Sequence, residues 1–232
     1  MKTGVKLGCL LGGLAFLGAG AAQAQTTPQV ASAPAEIMAT DTAPVGKAAG
    51  TILIRLRAIE VMPLVSSSST SIGGSVAVGN AATGELDGSY FFTDNIAAEL
   101  IAATTQHTVS VHNSAIGSAT LAQIWVLPPT LTVQYHFNPK SAFSPYVGAG
   151  LNVSFFYSGT SRSSLVNRFT MSNSVGPALQ AGVDWNFSGH WFANVDVKQI
   201  FMSSNASINS GAVKAKVALN PTVIGVGIGY RF

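Results

Sequence analysis

The sequence predicts an all-β fold, an eight-stranded antiparallel up-and-down transmembrane β-barrel, on three observations. Eight stretches alternate between an apolar face and a polar or small one, as strands do because successive side chains point to opposite sides. Only 9% of the residues are charged, against a typical quarter. Beyond the N-terminus no apolar run approaches the ~18 residues expected of a membrane-spanning helix. Low charge without a helical span fits a barrel, where only half of each strand meets lipid.

The chain opens MKTGVKLGCLLGGLAFLGAGAAQAQ: Lys2 and Lys6, an apolar run over residues 7–17, then small residues ending at Ala24. Residues 1–24 read as a secretory signal peptide. Its removal takes away Cys9, the single cysteine, so the mature chain forms no disulfide. Losing two lysines lowers the net charge from +3 to +1. With no basic stripe interleaved with aromatics, a nucleic-acid partner is not expected. Residues 25–50, rich in Ala, Pro and Thr and without periodicity, read as a flexible N-terminal periplasmic extension. The barrel is expected over residues 51–232.

The first strand, 51–61, turns Ile52, Ile54, Leu56 and Ala58 one way and Leu53, Arg55, Arg57 and Ile59 the other, and Pro63 ends it. A Ser/Gly/Ala-rich loop follows to about residue 84. A short irregular strand is expected over 86–92, a tight turn at residues 93–95, and a third strand over 96–103 with Glu99 and Ile101 inward. Residues 104–125 read as a second long loop. The clearest stretch comes next, LPPTLTVQYHF, with Leu131, Val133, Tyr135 and Phe137 opposing Thr130, Thr132, Gln134 and His136. After a turn, 147–155 resumes the alternation. Residues 158–171 form a third loop, 175–187 and 191–202 two further strands, and 203–212 a fourth loop. The last strand ends PTVIGVGIGYRF, with Ile224, Val226, Ile228, Tyr230 and Phe232 opposing Gly225, Gly227, Gly229 and Arg231. Loops alternately long and short, and an aromatic terminus, place both ends in the periplasm and the apolar face against lipid.

Several blocks carry a family resemblance: RLRAIEVMP (55–63), SYFFTDNIAAE (89–99), LPPTLTVQYHF (127–137), PYVGAGLN (145–152), LQAGVDW (179–185) and the terminal GIGYRF. In this order they resemble the outer-membrane protein W (OmpW) family, over residues 51–232. The departures are the long 25–50 leader and the Gly/Ser/Ala-rich first loop. The resemblance implies a bacterial outer-membrane, porin-like barrel whose narrow apolar channel lets small hydrophobic compounds cross the outer leaflet.

Strand parity and direction sort the lumen by height. Arg55, Arg57, Glu99, Gln134, His136, Asp184, Asp196, Lys198 and Arg231 fall in the periplasmic half. Ile59, Val61, Ile101, Val126, Phe156, Ile200 and Met202 fall in the upper half and form the expected ligand pocket. An eight-stranded barrel is only wide enough to be filled by side chains or to hold one small ligand. Three cations, Arg55, Arg57 and Lys198, against three carboxylates, Glu99, Asp184 and Asp196, are expected to neutralise one another as an ionic plug. An alkyl compound entering from outside is then expected to fill the upper pocket and, as the resemblance partly implies, to leave sideways into the bilayer; the alternative is that these residues simply pack the lumen. Pro128, Pro129 and Pro177, each lacking a ladder donor, are expected to weaken the wall near its outer end. Trp185 and Trp191, flanking a periplasmic turn on the lipid face, read as girdle residues.

The expected partners are outer-membrane lipid, small hydrophobic molecules and the barrel-assembly machinery, which reads the terminal Phe232. The alternative is a structural or interaction protein whose surface loops act as a receptor or adhesin. Catalysis finds little support: His107 and His112 lie near Ser110, Ser114 and Ser118, but no acidic third member accompanies them. His107, His112, His136 and His190 show no metal spacing, and no HExxH, CxxC or phosphate-cradling loop occurs, so neither metal nor cofactor is expected.

Overall fold

The computed structural model describes residues 46–164 and 166–232, without the side chains of Ser67 and Ser69. The expected signal peptide and residues 25–45 of the extension lie outside them. The elements in chain order are β1 (Ile52–Met62), β2 (Ser67–Thr70), β3 (Ser75–Val78), β4 (Ala81–Phe91), β5 (Ile96–Ala103), β6 (Thr105–Ser114), β7 (Gly117–Leu127) and β8 (Thr130–His136). They continue with β9 (Phe143–Ser161), β10 (Phe169–Met171), β11 (Ser174–Ser188), β12 (Trp191–Ile200), β13 (Ser203–Ile208), a 3-10 turn (Asn209–Gly211), β14 (Val213–Ala218) and β15 (Thr222–Arg231).

Eight of these close the barrel. Around the wall run β1, β4, β5, β8, β9, β11, β12 and β15, every neighbouring pair antiparallel. The ring is sealed by β15 on β1, from Leu53↔Arg231 to Met62↔Thr222. The wall is inside out relative to a water-soluble protein: Leu56 is 61% exposed while Arg55 and Arg57 beside it are 0% and 1%. Lipid, not water, is the medium that suits such an exterior. Aromatic side chains band the short-turn end, where Tyr230 packs edge-on against Trp191 and Phe232, as interfacial girdles do. Trp185 and Trp191 both point outward there.

The four long loops are largely strands, and this corrects the expectation. β6 and β7 form a hairpin that continues β5 and β8 outward in the same register, Thr105↔Val126 following Ile101↔Thr130. β3 joins its edge and β9 runs on to pair with β7. A second sheet, β10-β13-β14-β2, is built from the other three long connections. The two sheets bury one apolar cluster, with Val109, Val111, Leu121 and Ile124 from one and Phe169, Ile208 and Val217 from the other. Several of their inward positions are only alanine (Ala119, Ala206, Ala215) and their outward ones are mixed polar residues such as Ser110, Asn205 and Lys216, so apolar alternation is weak, and the strands owe their order to the neighbours they pair with. The second barrel strand begins at Ala81, not residue 86, which brings Glu85 into it.

Candidate functional site: a layered lumen

The lumen is stacked in layers. At the short-turn end Leu53, Phe91, Ala97 and Phe192 form a fully buried apolar floor, which the sequence reading lacked. Phe192 fits because Gly229 faces it; a Cβ there would fall on the ring.

Above the floor lies one ionic network that unites all six expected plug residues. Arg55 donates to Asp87 (2.8 Å), Ser89 (2.7 Å) and Asp184 (3.2 Å). Arg57 Nη2 donates to Glu99 at 2.5 Å and Nη1 to Asn194 at 3.1 Å. Arg57 Nε also sits 2.8 Å from Glu85, and Nη2 2.7 Å from Asp87 Oδ2, ionic contacts not aligned as hydrogen bonds. Lys198 donates to Asp196 (2.5 Å) and Glu85 (3.2 Å). Gln180 Nε2 donates to Glu99 (2.7 Å) and Asp196 (2.8 Å), and Gln134 Nε2 also donates to Glu99. The Tyr146 hydroxyl donates to Asp196 at 2.8 Å.

Three charged members escaped the sequence reading. Glu85 and Asp87 belong to the part of β4 where Gly84 and Gly88 blur the alternation and the sequence predicts loop or irregular strand. Lys47 comes from the segment read as flexible. Its side chain is 0% exposed, and its ammonium donates to Asp184 (2.7 Å) and Ser144 (3.0 Å) and lies 3.1 Å from His136 Nδ1. Residues 46–50 are therefore pinned across the barrel end: Lys47 N–H donates to Pro139 O, Gly50 N–H to Phe91 O and Ala49 N–H to Asp94. Flexibility does not describe them. With Arg231, whose guanidinium donates to Asn186 and Gly189, the lumen holds Lys47, Arg55, Arg57, Lys198 and Arg231 against Glu85, Asp87, Glu99, Asp184 and Asp196. The charges balance, as groups sealed from water must. At the periplasmic turns, outside the bilayer, Lys140 donates to Asp94 at 2.8 Å; that bond and the one from Ala49 hold the Asp94 carboxyl below its ordinary range.

Over the ionic layer is an apolar cavity. Ile59, Val61, Ile101, Val126, Phe156, Ile200 and Met202, the seven residues assigned to the upper lumen, all line it. Glu85 and Lys198 form its lower boundary and Leu219 and Val109 its upper one. The space open to the centre of a water molecule is ≈ 50 Å³, room for about four waters at ~10–15 Å³ each. The cluster between the two outer sheets borders the cavity, sharing Val109, Ile124 and Leu219 with its lining.

The wall is discontinuous at the cavity's level. The β4–β5 ladder stops at Glu85↔Ala103 and resumes only as β3–β6 at Val78↔Val109, a slit stitched by Gly79 N–H to Thr108 O (2.9 Å) and by His107 Nδ1 against Gly79 O (2.8 Å). On the other side of the same segment, Pro128 and Pro129 interrupt the ladder between Ile101↔Thr130 and Thr105↔Val126. Pro177 sits inside an unbroken β11–β9 ladder on one side, and on the other the β11–β12 ladder ends beside it at Ala178↔Ile200, with Phe201 N–H donating to Pro177 O. His107 also bonds Thr105 through Nε2, and Ser110 and Ser114 bond Thr120 and Gly117 O, so these side chains serve the outer sheets. Among the described residues no group of His, Cys, Asp and Glu has metal-holding geometry.

A closed eight-stranded ring with a charged interior and an oily exterior narrows the comparison to outer-membrane barrels, and the OmpW family profile matches residues 48–232. The chain belongs to the OmpW family. It is 40% identical over 227 residues to an uncharacterized outer-membrane protein of Sinorhizobium fredii, covering 95% of this chain and 93% of that one. Outer membrane protein W of Vibrio cholerae is 33% identical over 193 residues, 79% of this chain and 89% of its own. Among solved structures, OprG from Pseudomonas aeruginosa superposes with a TM-score of 0.76 at 30% identity, covering 81% of this chain and 98% of OprG. Outer membrane protein W of E. coli gives 0.56 at 29% identity, covering 80% and 99%. This OmpW-family barrel is an outer-membrane protein.

Proposed function

We propose that this OmpW-family barrel takes up small hydrophobic molecules into the apolar cavity and releases them sideways into the bilayer. The carrying observation is the cavity's position, directly above a neutral ionic layer and level with two breaks in the strand ladder. An alkyl chain gains roughly 0.8 kcal/mol per buried methylene in such a cavity. Passing downward instead would require parting ion pairs whose side chains are 0–3% exposed. The segment Ala103–Thr105, flanked by both breaks, is the natural moving part. Residues 1–24 supply the export signal, and the exposed Phe232, bonded to Ile52 O through its backbone N–H, is the end that the barrel-assembly machinery reads.

The test is uptake of an alkane or terpene by proteoliposomes carrying the full chain. Phe156→Asp with Met202→Asp abolishes uptake, and Lys47→Met with Asp184→Asn, which unsettles the ionic layer at residues that do not line the cavity, leaves most of it. Uptake that survives the first pair counts against the cavity; uptake that requires the second counts against lateral release.

A second reading, a surface receptor or adhesin, is favoured by the ordered outer sheets and their polar outward faces. It predicts that deleting the β13–β14 hairpin spares uptake and removes binding to a host cell or phage.

A further inference from the structure

The four segments that rise above the barrel, residues 63–80, 104–127, 156–176 and 201–221, contain no aspartate or glutamate at all, and they carry Arg162, Arg168, Lys214 and Lys216. Three of these cations share one face. In β14, Lys214 and Lys216 are exposed while Val217 is buried; in the strand next to it, Asn205 is exposed between the buried Ser204 and Ala206. The register aligns Lys216 with Asn205 and Lys214 with Ser207, and Ser207 in turn with Thr170 on β10. Arg168, exposed, precedes Thr170 by one same-face step and its carbonyl accepts from Asn209 N–H, extending that register. Lys214 and Lys216 stand about 7 Å apart along the strand, and β10 lies two strand spacings, about 10 Å, from β14. Lys214, Lys216, Asn205, Ser207 and Thr170 line one shallow depression. The sheet's other face is fully committed to the apolar cluster.

The position of this face specifies what it meets. β12 passes into β13 with its outward parity kept: the lipid-facing Val195, Val197 and Phe201 are followed on the same side by Ser203 and Asn205. The cationic face is therefore the upward continuation of the lipid-facing wall, beginning about 13 Å beyond Phe201 at ~3.3 Å per residue. In an outer membrane that height is occupied by the headgroups of the outer leaflet, glycolipids whose sugars bear phosphate. Ammonium and guanidinium groups pair with phosphate oxygens, and hydroxyl and amide side chains between them suit sugar hydroxyls.

We propose that the outward face of the β10-β13-β14 sheet binds the phosphorylated sugar headgroup of an outer-leaflet glycolipid, with Arg168, Lys214 and Lys216 on its phosphates. The site is separate from the cavity and stands whether or not the cavity carries hydrophobic molecules.

The test titrates the full-length protein, in nonionic detergent, with bisphosphorylated lipid A and counts bound lipid by native mass spectrometry. Wild type retains lipid A, and Lys214→Gln with Lys216→Gln weakens retention about tenfold or more, while Arg162→Gln, which removes a cation off this face, leaves it unchanged. Lys214→Arg with Lys216→Arg restores binding, and heat-modifiable gel migration verifies that each variant is folded; should the glutamine pair fail to fold, Arg168→Gln carries the comparison. Equal retention by the Gln variants, an equal loss with Arg162→Gln, equal binding of lipid A stripped of phosphate, or inorganic phosphate binding as tightly as lipid A each overturns the proposal.

Discussion

Lys47 and Asp184, separated by 137 positions in the chain, meet at 2.7 Å with both side chains sealed from solvent. The ammonium is delivered not by a strand but by the segment that crosses the barrel end before β1 begins. Replacing it with methionine keeps the bulk and leaves Asp184 with Arg55 and the Asn194 amide, which donates at 2.7 Å. Breaking a buried pair costs ~3–5 kcal/mol; with Arg55 still in place, Lys47→Met is expected to destabilise by about 3 kcal/mol. Urea unfolding in lipid vesicles measures it. Adding Asp184→Asn should recover part of the loss, and a strictly additive double variant would mean that the two residues are not coupled.

Gly182 faces the lumen where a Cβ would overlap the Tyr146 phenol, a ring 1% exposed and bonded to Asp196. Gly182→Val is expected to cost about 1–3 kcal/mol through overpacking. Gly84→Ala, whose Cβ would meet nothing within 4 Å, is the comparison and should change the unfolding midpoint little.

Leu56, paired with Leu86 and Ile228 midway along β1, is 61% exposed toward lipid. An arginine there should cost about 2–4 kcal/mol, as charges do near the bilayer midplane. Ile116→Arg, in the turn between β6 and β7, should stay within about 0.5 kcal/mol. Equal costs at the two positions would contradict the placement of the membrane band.

The Asp94 carboxyl accepts from Lys140 and from Ala49 N–H, which lowers its pKa. A lowered carboxyl contributes above its unfolded value of ~3.9 and loses that contribution as pH falls through the folded value. Carbon NMR titration is expected to place Asp94 below ~3.9 and to move it upward in Lys140→Ala. A wild-type midpoint at the ordinary value would show that the bond does not form in solution.

The barrel and its inverted wall were legible because lipid on one side and a sealed lumen on the other force alternation onto residues 52–62, 130–136 and 222–231. Parity and strand direction fix which side chains share a layer, which is why Ile59, Ile101 and Ile200, on three different strands, line one cavity. Glu85 and Asp87 were illegible because glycine on the opposite face removes the apolar half of the pattern. Lys47 has no pattern at all, since it lies outside any strand; the only hint was an excess of inward carboxylates once β4 is extended. The outer sheets hid behind Ser, Thr and Ala, whose pairing depends on partners far along the chain, and the apolar floor was missed where Leu53, Phe91 and Phe192 come from three separate strand ends.

The seam between the first and last staves has a temporal consequence. Because β1 and β15 stand at opposite ends of the barrel sequence, the cylinder stays an open ribbon with two raw edges until that last pairing forms. A chain that loses even its last few residues has no partner for Leu53 and its neighbours, and quality control is offered a sticky, unfinished margin by which to recognise every truncated copy.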